Sequence, residues 1–174
     1  MTPDESTLVI TQFDAAKATV IRRSTGARHI VPLSGKPMGA AAAPDGTEVW
    51  IAVAGTDSLY VLSTTSDSII ARFASAGHEP ARIAFTPDGS RVVSTASRSD
   101  LVEVYDRRLR TVRSSIPTGS ETGPKGLVLS DDGATAWVSL MTAGRLIAID
   151  LPSTRVTASV TTGGSPERSA VTAR

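Results

Sequence analysis

Histidine occurs twice in the chain, and one of the two, His78, stands directly before a carboxylate, Glu79, and two residues before Pro80. A neutral imidazole beside a carboxylate can move a proton or help hold a metal ion. A metal site takes three or four ligands, and sequence neighbours need not point the same way. The pair therefore needs partners from elsewhere. Arg98, Asp100, Lys125 and Arg168 supply charged candidates of both signs. With His78 and Glu79 they make a weak ligand-binding set suited to a polar ligand or a peptide. No metal site and no cofactor is expected. The chain has no cysteine, which excludes thiol catalysis, disulfides and thiolate metal sites. It has no Gly-x-Ser-x-Gly nucleophile turn. Gly119-Ser120-Glu121-Thr122-Gly123 and Gly163-Gly164-Ser165 read as turns, with no phosphate loop running from a strand into a helix. No catalytic residue set is assembled.

The elements that must position these side chains follow from a repeat. Ala43-Pro44-Asp45-Gly46 recurs as Thr86-Pro87-Asp88-Gly89 and Ser130-Asp131-Asp132-Gly133, with Thr2-Pro3-Asp4-Glu5 as an earlier copy. The aspartates are 41, 43 and 44 residues apart. A second turn keeps step, with Pro37, Pro80, Pro124 and Pro166 spaced by 43, 44 and 42 residues. Five positions after each turn aspartate stand Val9, Trp50, Val93 and Trp137, and sixteen positions after it Val20, Val61, Val104 and Ala148. Between the turns lie short runs with period-two alternation, clearest in Arg82–Phe85, Arg91–Thr95, Leu101–Asp106 and Thr111–Ile116. Four short strands in a tandem unit of about 40–45 residues make a propeller blade. The fold class expected is all-β: a β-propeller, four blades of four antiparallel strands. It forms either a closed small ring or a segment or half of a larger propeller.

One domain covers residues 1–174, with blades at 1–34 plus a closing strand at 166–174, then 35–76, 77–119 and 120–165. The first blade lacks a first strand of its own, and the C-terminal stretch has the position to supply it. Such a latch covers a sheet edge that would otherwise template aggregation. The turn aspartates are read as turn caps, since the calcium loop spacing is absent. Trp50 and Trp137 share a repeat position and are read as packing between blades. Asp106 and Asp150 also share one, with a structural role, and His29 falls on an outer strand in solvent.

Charge and composition remove several function classes. Eighteen basic and 17 acidic residues leave a net charge of +1, which gives no electrostatic case for nucleic acid or an anionic membrane. No apolar run is long enough for a membrane-spanning helix. Met1-Thr2-Pro3-Asp4-Glu5 lacks the basic start and apolar stretch of a secretion signal. The compartment stays open, because a cysteine-free chain suits either side of a membrane.

The pattern resembles the YVTN family of β-propeller repeats. The matching residues are Pro87-Asp88-Gly89, Val92-Val93-Ser94-Thr95, Val104-Tyr105-Asp106 and Gly77 to Pro80, with Trp137-Val138, Ile149-Asp150-Leu151 and Gly164-Ser165-Pro166 in the last repeat. The first repeat departs from it, with Glu5 for the turn glycine and Arg22-Arg23 where an Ile-Asp pair is usual. The resemblance implies larger rings, commonly of about seven blades, within the propeller range. It also implies frequent placement outside the cytoplasm. The function expected is a non-catalytic binding or scaffold propeller, also describable as WD-like, that holds a protein, peptide or polar ligand through its loop face. The alternative is a propeller enzyme, lactonase-like or haem- or quinone-oxidoreductase-like, with its site at the central channel. A homodimer that completes a larger ring is one partner arrangement.

Overall fold

The computed structural model describes residues 1–167, and the greater part of the expected closing strand, 168–174, lies outside the described residues. Fifteen strands form four antiparallel sheets in chain order. The first holds β1 (Thr7–Gln12), β2 (Lys17–Arg22) and β3 (Arg28–Pro32). The second holds β4 (Pro37–Ala42), β5 (Glu48–Val53), β6 (Ser58–Ser63) and β7 (Ile69–Ala74). The third holds β8 (Pro80–Phe85), β9 (Arg91–Ala96), β10 (Leu101–Asp106) and β11 (Thr111–Pro117). The fourth holds β12 (Pro124–Leu129), β13 (Thr135–Leu140), β14 (Arg145–Asp150) and β15 (Arg155–Thr161). Each strand pairs with the next, as in a meander, and the sheets stack as blades of a propeller. The four-strand expectation holds for three sheets. The first has three strands, and Pro166 and Glu167, the described start of the expected closing strand, are in none. The only helix among the described residues is a single 3₁₀ turn, Ala54–Thr56, so none is long and apolar enough to cross a membrane.

The repeat positions read from the sequence are cross-strand partners in every sheet. Val9 pairs with Val20, Trp50 with Val61, Val93 with Val104 and Trp137 with Ala148. Alternation then sends successive residues of a middle strand into different blade junctions. On β5, Val49, Ile51 and Val53 pack towards the first sheet, while Trp50 and Ala52 pack towards the third. A strand covered on both faces has no polar side, which is why all six residues of β5 are buried. The third junction gathers Val93, Val102, Val104, Val138, Ile147 and Ile149. Trp50 is fully buried and meets Phe73, Phe85 and Tyr105 edge-on, at centroid distances of 5.2, 6.0 and 6.2 Å. That geometry suits the ring quadrupole.

The Pro-Asp-Gly turns close on their own side chains. Asp88 accepts the Thr86 hydroxyl at 2.5 Å, the Ser90 N–H at 3.1 Å and the Ser90 hydroxyl at 2.6 Å. Asp132 repeats the pattern with Ser130 and Ala134. Gly46, Gly89 and Gly133 take the next position at φ of 72°, 67° and 66°, and Glu5 takes it at 57°. A side chain there strains the backbone, because Cβ crowds the following carbonyl.

Candidate functional site

A propeller presents the loops between second and third strands and those between blades on one face. Here that face is built by a repeated latch. Ala16, Asp57, Asp100 and Gly144 each precede a third strand, and all four are left-handed, at φ of 47°, 46°, 54° and 60°. Their carbonyls accept the N–H of Leu33, Ser75, Thr118 and Thr162 at 2.8–2.9 Å, tying each blade's last strand to its loop. Glycine serves this conformation freely, and Asp tolerates it better than most residues. Where the residue is Asp, its carboxylate reaches onward to the loop entering the next blade.

Asp57 accepts the Glu79 N–H at 2.7 Å and Nδ1–H of His78 at 2.8 Å. The Glu79 amide and then the His78 ring hold its pKa below the usual carboxylate value. Asp100 accepts the N–H groups of Glu121, Thr122 and Gly123 at 2.7, 2.8 and 2.9 Å, and the Thr122 hydroxyl at 3.0 Å. Partial burial pulls its pKa upward, but the amides of Gly123, Thr122 and Glu121 outweigh it and leave the carboxyl below its ordinary value. A carboxylate that accepts so many bonds is fastened to the fold. Asp100 therefore works as a loop anchor.

The loop carrying His78 is also held from beneath. Glu103, fully buried in the middle of β10, accepts the Gly77 N–H, the Ser75 hydroxyl at 2.8 Å and the Tyr105 hydroxyl at 2.5 Å. Burial first, and then the neighbouring Glu103 charge, push the Tyr105 pKa up. Gly77 sits so close to the third sheet that a Cβ would lie 2.8 Å from the Ala96 Cβ. The loop is thus placed by two carboxylates, Asp57 in the turn before β6 and Glu103 on β10.

These anchors shape a cleft of about 690 Å³ across the first three blades. Phe13, Lys36, Asp57, His78, Glu79 and Arg98 line it. Lys36 Nζ lies 5.1 Å from the centre of the Phe13 ring. Among the described residues Lys36 and Arg98 have no acidic partner within ion-pair distance, while the Asp57 carboxylate is occupied. Glu79 accepts one weak bond, from the Ser97 hydroxyl at 3.5 Å. The described residues gather no group of three or more His, Cys, Asp or Glu side chains.

Of the residues singled out from the sequence, the fold brings together His78, Glu79 and Arg98. Asp100 and Lys125 lie one junction further along the same face. Lys125 stands 3.8 Å from Glu167 and lends its backbone carbonyl to Thr95. Arg168 lies outside the described residues. His29 is exposed on β3. Phe13 was legible only as an apolar residue at a strand end, and nothing in the alternation of β10 distinguishes Glu103 from a solvent-facing position.

A family model described as Lactonase, 7-bladed beta-propeller, matches residues 5–122. No curated protein matches the chain. Among solved structures, the hydrazine synthase of Kuenenia stuttgartiensis is similar, with 28% identity and a TM-score of 0.85 over 91% of this chain and 47% of that one. The chain thus spans about half the length of that relative. With residues 5–122 matched and the blades stacked as described, the chain belongs to the Lactonase, 7-bladed beta-propeller, family.

Proposed function

We propose that this chain is a binding propeller that holds a small polyhydroxylated acid in the cleft of its loop face. The observation that carries this reading is the pair of cations, Lys36 and Arg98, that share the cleft without an acidic partner among the described residues. A buried or half-buried carboxylate is most favourable where such donors are already placed. Glu79 can accept hydroxyl groups, and the exposed Phe13 ring offers an apolar face. Calorimetric titration with D-gluconate and with glucose tests the reading. Binding of gluconate and not of glucose supports it, and equal or absent binding of both rejects it.

A second reading is favoured by the 2.8 Å contact between Asp57 and His78, together with the family's name. In it the imidazole, oriented through Nδ1, takes a proton from water at Nε2 as the water adds to a lactone carbonyl. The ring oxygen leaves as it takes that proton back from Nε2, and the product is a hydroxy acid, ionised with release of a proton at neutral pH, of the class the cleft would hold. Proton release from δ-gluconolactone above the spontaneous rate, lost in His78→Ala, would favour this reading over simple binding.

The same reading takes the four blades as part of a larger ring of YVTN-type repeats. Apolar side chains stand open on the outward surfaces of the terminal sheets, Ile30 at 57% exposure and Val160 at 55%. Trp137 is half-exposed where its counterpart Trp50 is sealed by the next blade. The family's seven blades and the half-length match to the hydrazine synthase chain point the same way. Further sequence or a second copy would complete the ring, and light scattering separates a monomer from a dimer.

A further inference from the structure

We infer that the face opposite the cleft carries a second recognition site, a groove at the junction of the second and third blades that takes an acidic segment of a partner protein. The groove has a volume of about 610 Å³ and is lined by Glu48, Asp106, Arg107, Arg108, Leu109 and Arg110, with the Gly89-Ser90 turn. Its acids are already satisfied. Glu48 accepts Arg107 Nε at 2.6 Å, and Asp106 accepts the Leu109 N–H at 2.9 Å and an Arg113 guanidinium nitrogen at 2.8 Å. Arg107 is consumed as well, because it also binds Asp45 at 2.8 Å and lies 5.6 Å from the centre of the Phe85 ring. That leaves Arg108 and Arg110, neither ion-paired among the described residues. Leu109 stands between them at 64% exposure.

The fold does not ask for these residues. The same hairpin tip is Ser24-Thr25-Gly26 in the first blade, Thr65-Ser66-Asp67 in the second and Pro152-Ser153-Thr154 in the fourth. All four tips end on a left-handed residue, Gly26, Asp67, Arg110 and Thr154, at φ of 69°, 51°, 56° and 56°. An arginine there is strained, and among the described residues the strain gains no ion pair. Three tips of small residues turn the chain without an arginine or a leucine. The Arg-Leu-Arg tip adds two cations unpaired among the described residues and an apolar anchor beside a groove.

An acidic peptide fits this chemistry better than a free phosphate. Leu109 can meet an apolar side chain set between carboxylates. The adjoining β11 is the outer strand of its sheet, so its open backbone edge can pair with an extended chain. A headgroup or an inorganic anion uses neither feature.

The test is fluorescence anisotropy with a fluorescein-labelled peptide of eight residues, glutamates around a central leucine. Its controls are the glutamine version of the peptide, inorganic phosphate, and vesicles containing phosphatidylserine. The expected result is salt-sensitive binding of the glutamate peptide alone. Affinity should fall about tenfold or more in R108E/R110E, as for truncated interfacial charge pairs, and stay unchanged in Arg155→Glu. The reversed variant should bind the lysine version of the peptide, which also shows that it is folded. Unchanged affinity in R108E/R110E, equal binding of the glutamine peptide, or binding of phosphate or vesicles in preference to the peptide would each overturn the inference.

Discussion

The Asp57 carboxylate spans the junction between the second and third blades, taking His78 Nδ1–H at 2.8 Å on one oxygen and the Glu79 N–H at 2.7 Å on the other. Asp100 occupies the equivalent place one repeat later and holds three backbone amides. Both residues are left-handed, so replacement by alanine carries the same backbone penalty at each. The difference between the two variants then reports the hydrogen bonds. Asp57→Ala is expected to lower unfolding free energy by about 1 kcal/mol and Asp100→Ala by about 2–3 kcal/mol, from bonds to a charged acceptor. Urea denaturation measures both.

Glu103 is a fully buried polar anchor. Glu103→Ala leaves the Gly77 amide and the Ser75 and Tyr105 hydroxyls without their acceptor, at a cost of about 3 kcal/mol or more. Tyr105→Phe removes one donor and keeps the ring against Trp50, so it costs about 1 kcal/mol. A chemical denaturation series should give that order, with increased proteolysis near residues 75–79 in Glu103→Ala alone.

Glu5 bears the turn strain that glycine avoids in the other three repeats. Its compensation is an exposed ion pair with Arg23, a type of contact with little net worth. Glu5→Gly is expected to raise stability by about 1 kcal/mol, read as an increase in Tm.

Acid should weaken the turns. The Asp88 pKa is held down at about 2, below the ordinary carboxylate value, because the hydroxyls of Ser90 and Thr86 and then the Ser90 amide bind the ionised form. A lowered folded pKa means the stabilisation is complete above about pH 4, the unfolded value. It is lost as pH falls towards 2. Asp45, Asp57, Asp100 and Asp106 shift in the same direction. Tm followed from pH 6 to pH 2 should therefore stay level to about pH 4 and fall below it.

The propeller was legible because its markers are local. A turn aspartate caps the amides beside it whatever the rest of the chain does, and the shared repeat positions of Trp50 and Val61 mark residues that pair across the middle of a blade. The cleft was only partly legible. His78, Glu79 and Arg98 could be assigned to one face from strand order alone. The commitment of Asp100 to three amides could not be read, because its partners lie 21–23 residues away. Glu103 escaped for the converse reason. A glutamate between Val102 and Val104 looks like an exposed position until a neighbouring blade covers it. Trp50 and Trp137 show the same dependence, since an identical repeat position is sealed in one blade and half-open in the other.

The most direct test of the account is calorimetric titration of D-gluconate into the protein and into Lys36→Ala, Arg98→Ala and the double variant. The account predicts binding to the parent chain, a loss of about tenfold for each single variant and no detectable binding to the double variant, the scale of one charge-assisted contact per cation. Unchanged affinity in the double variant, or no binding to the parent, would contradict it.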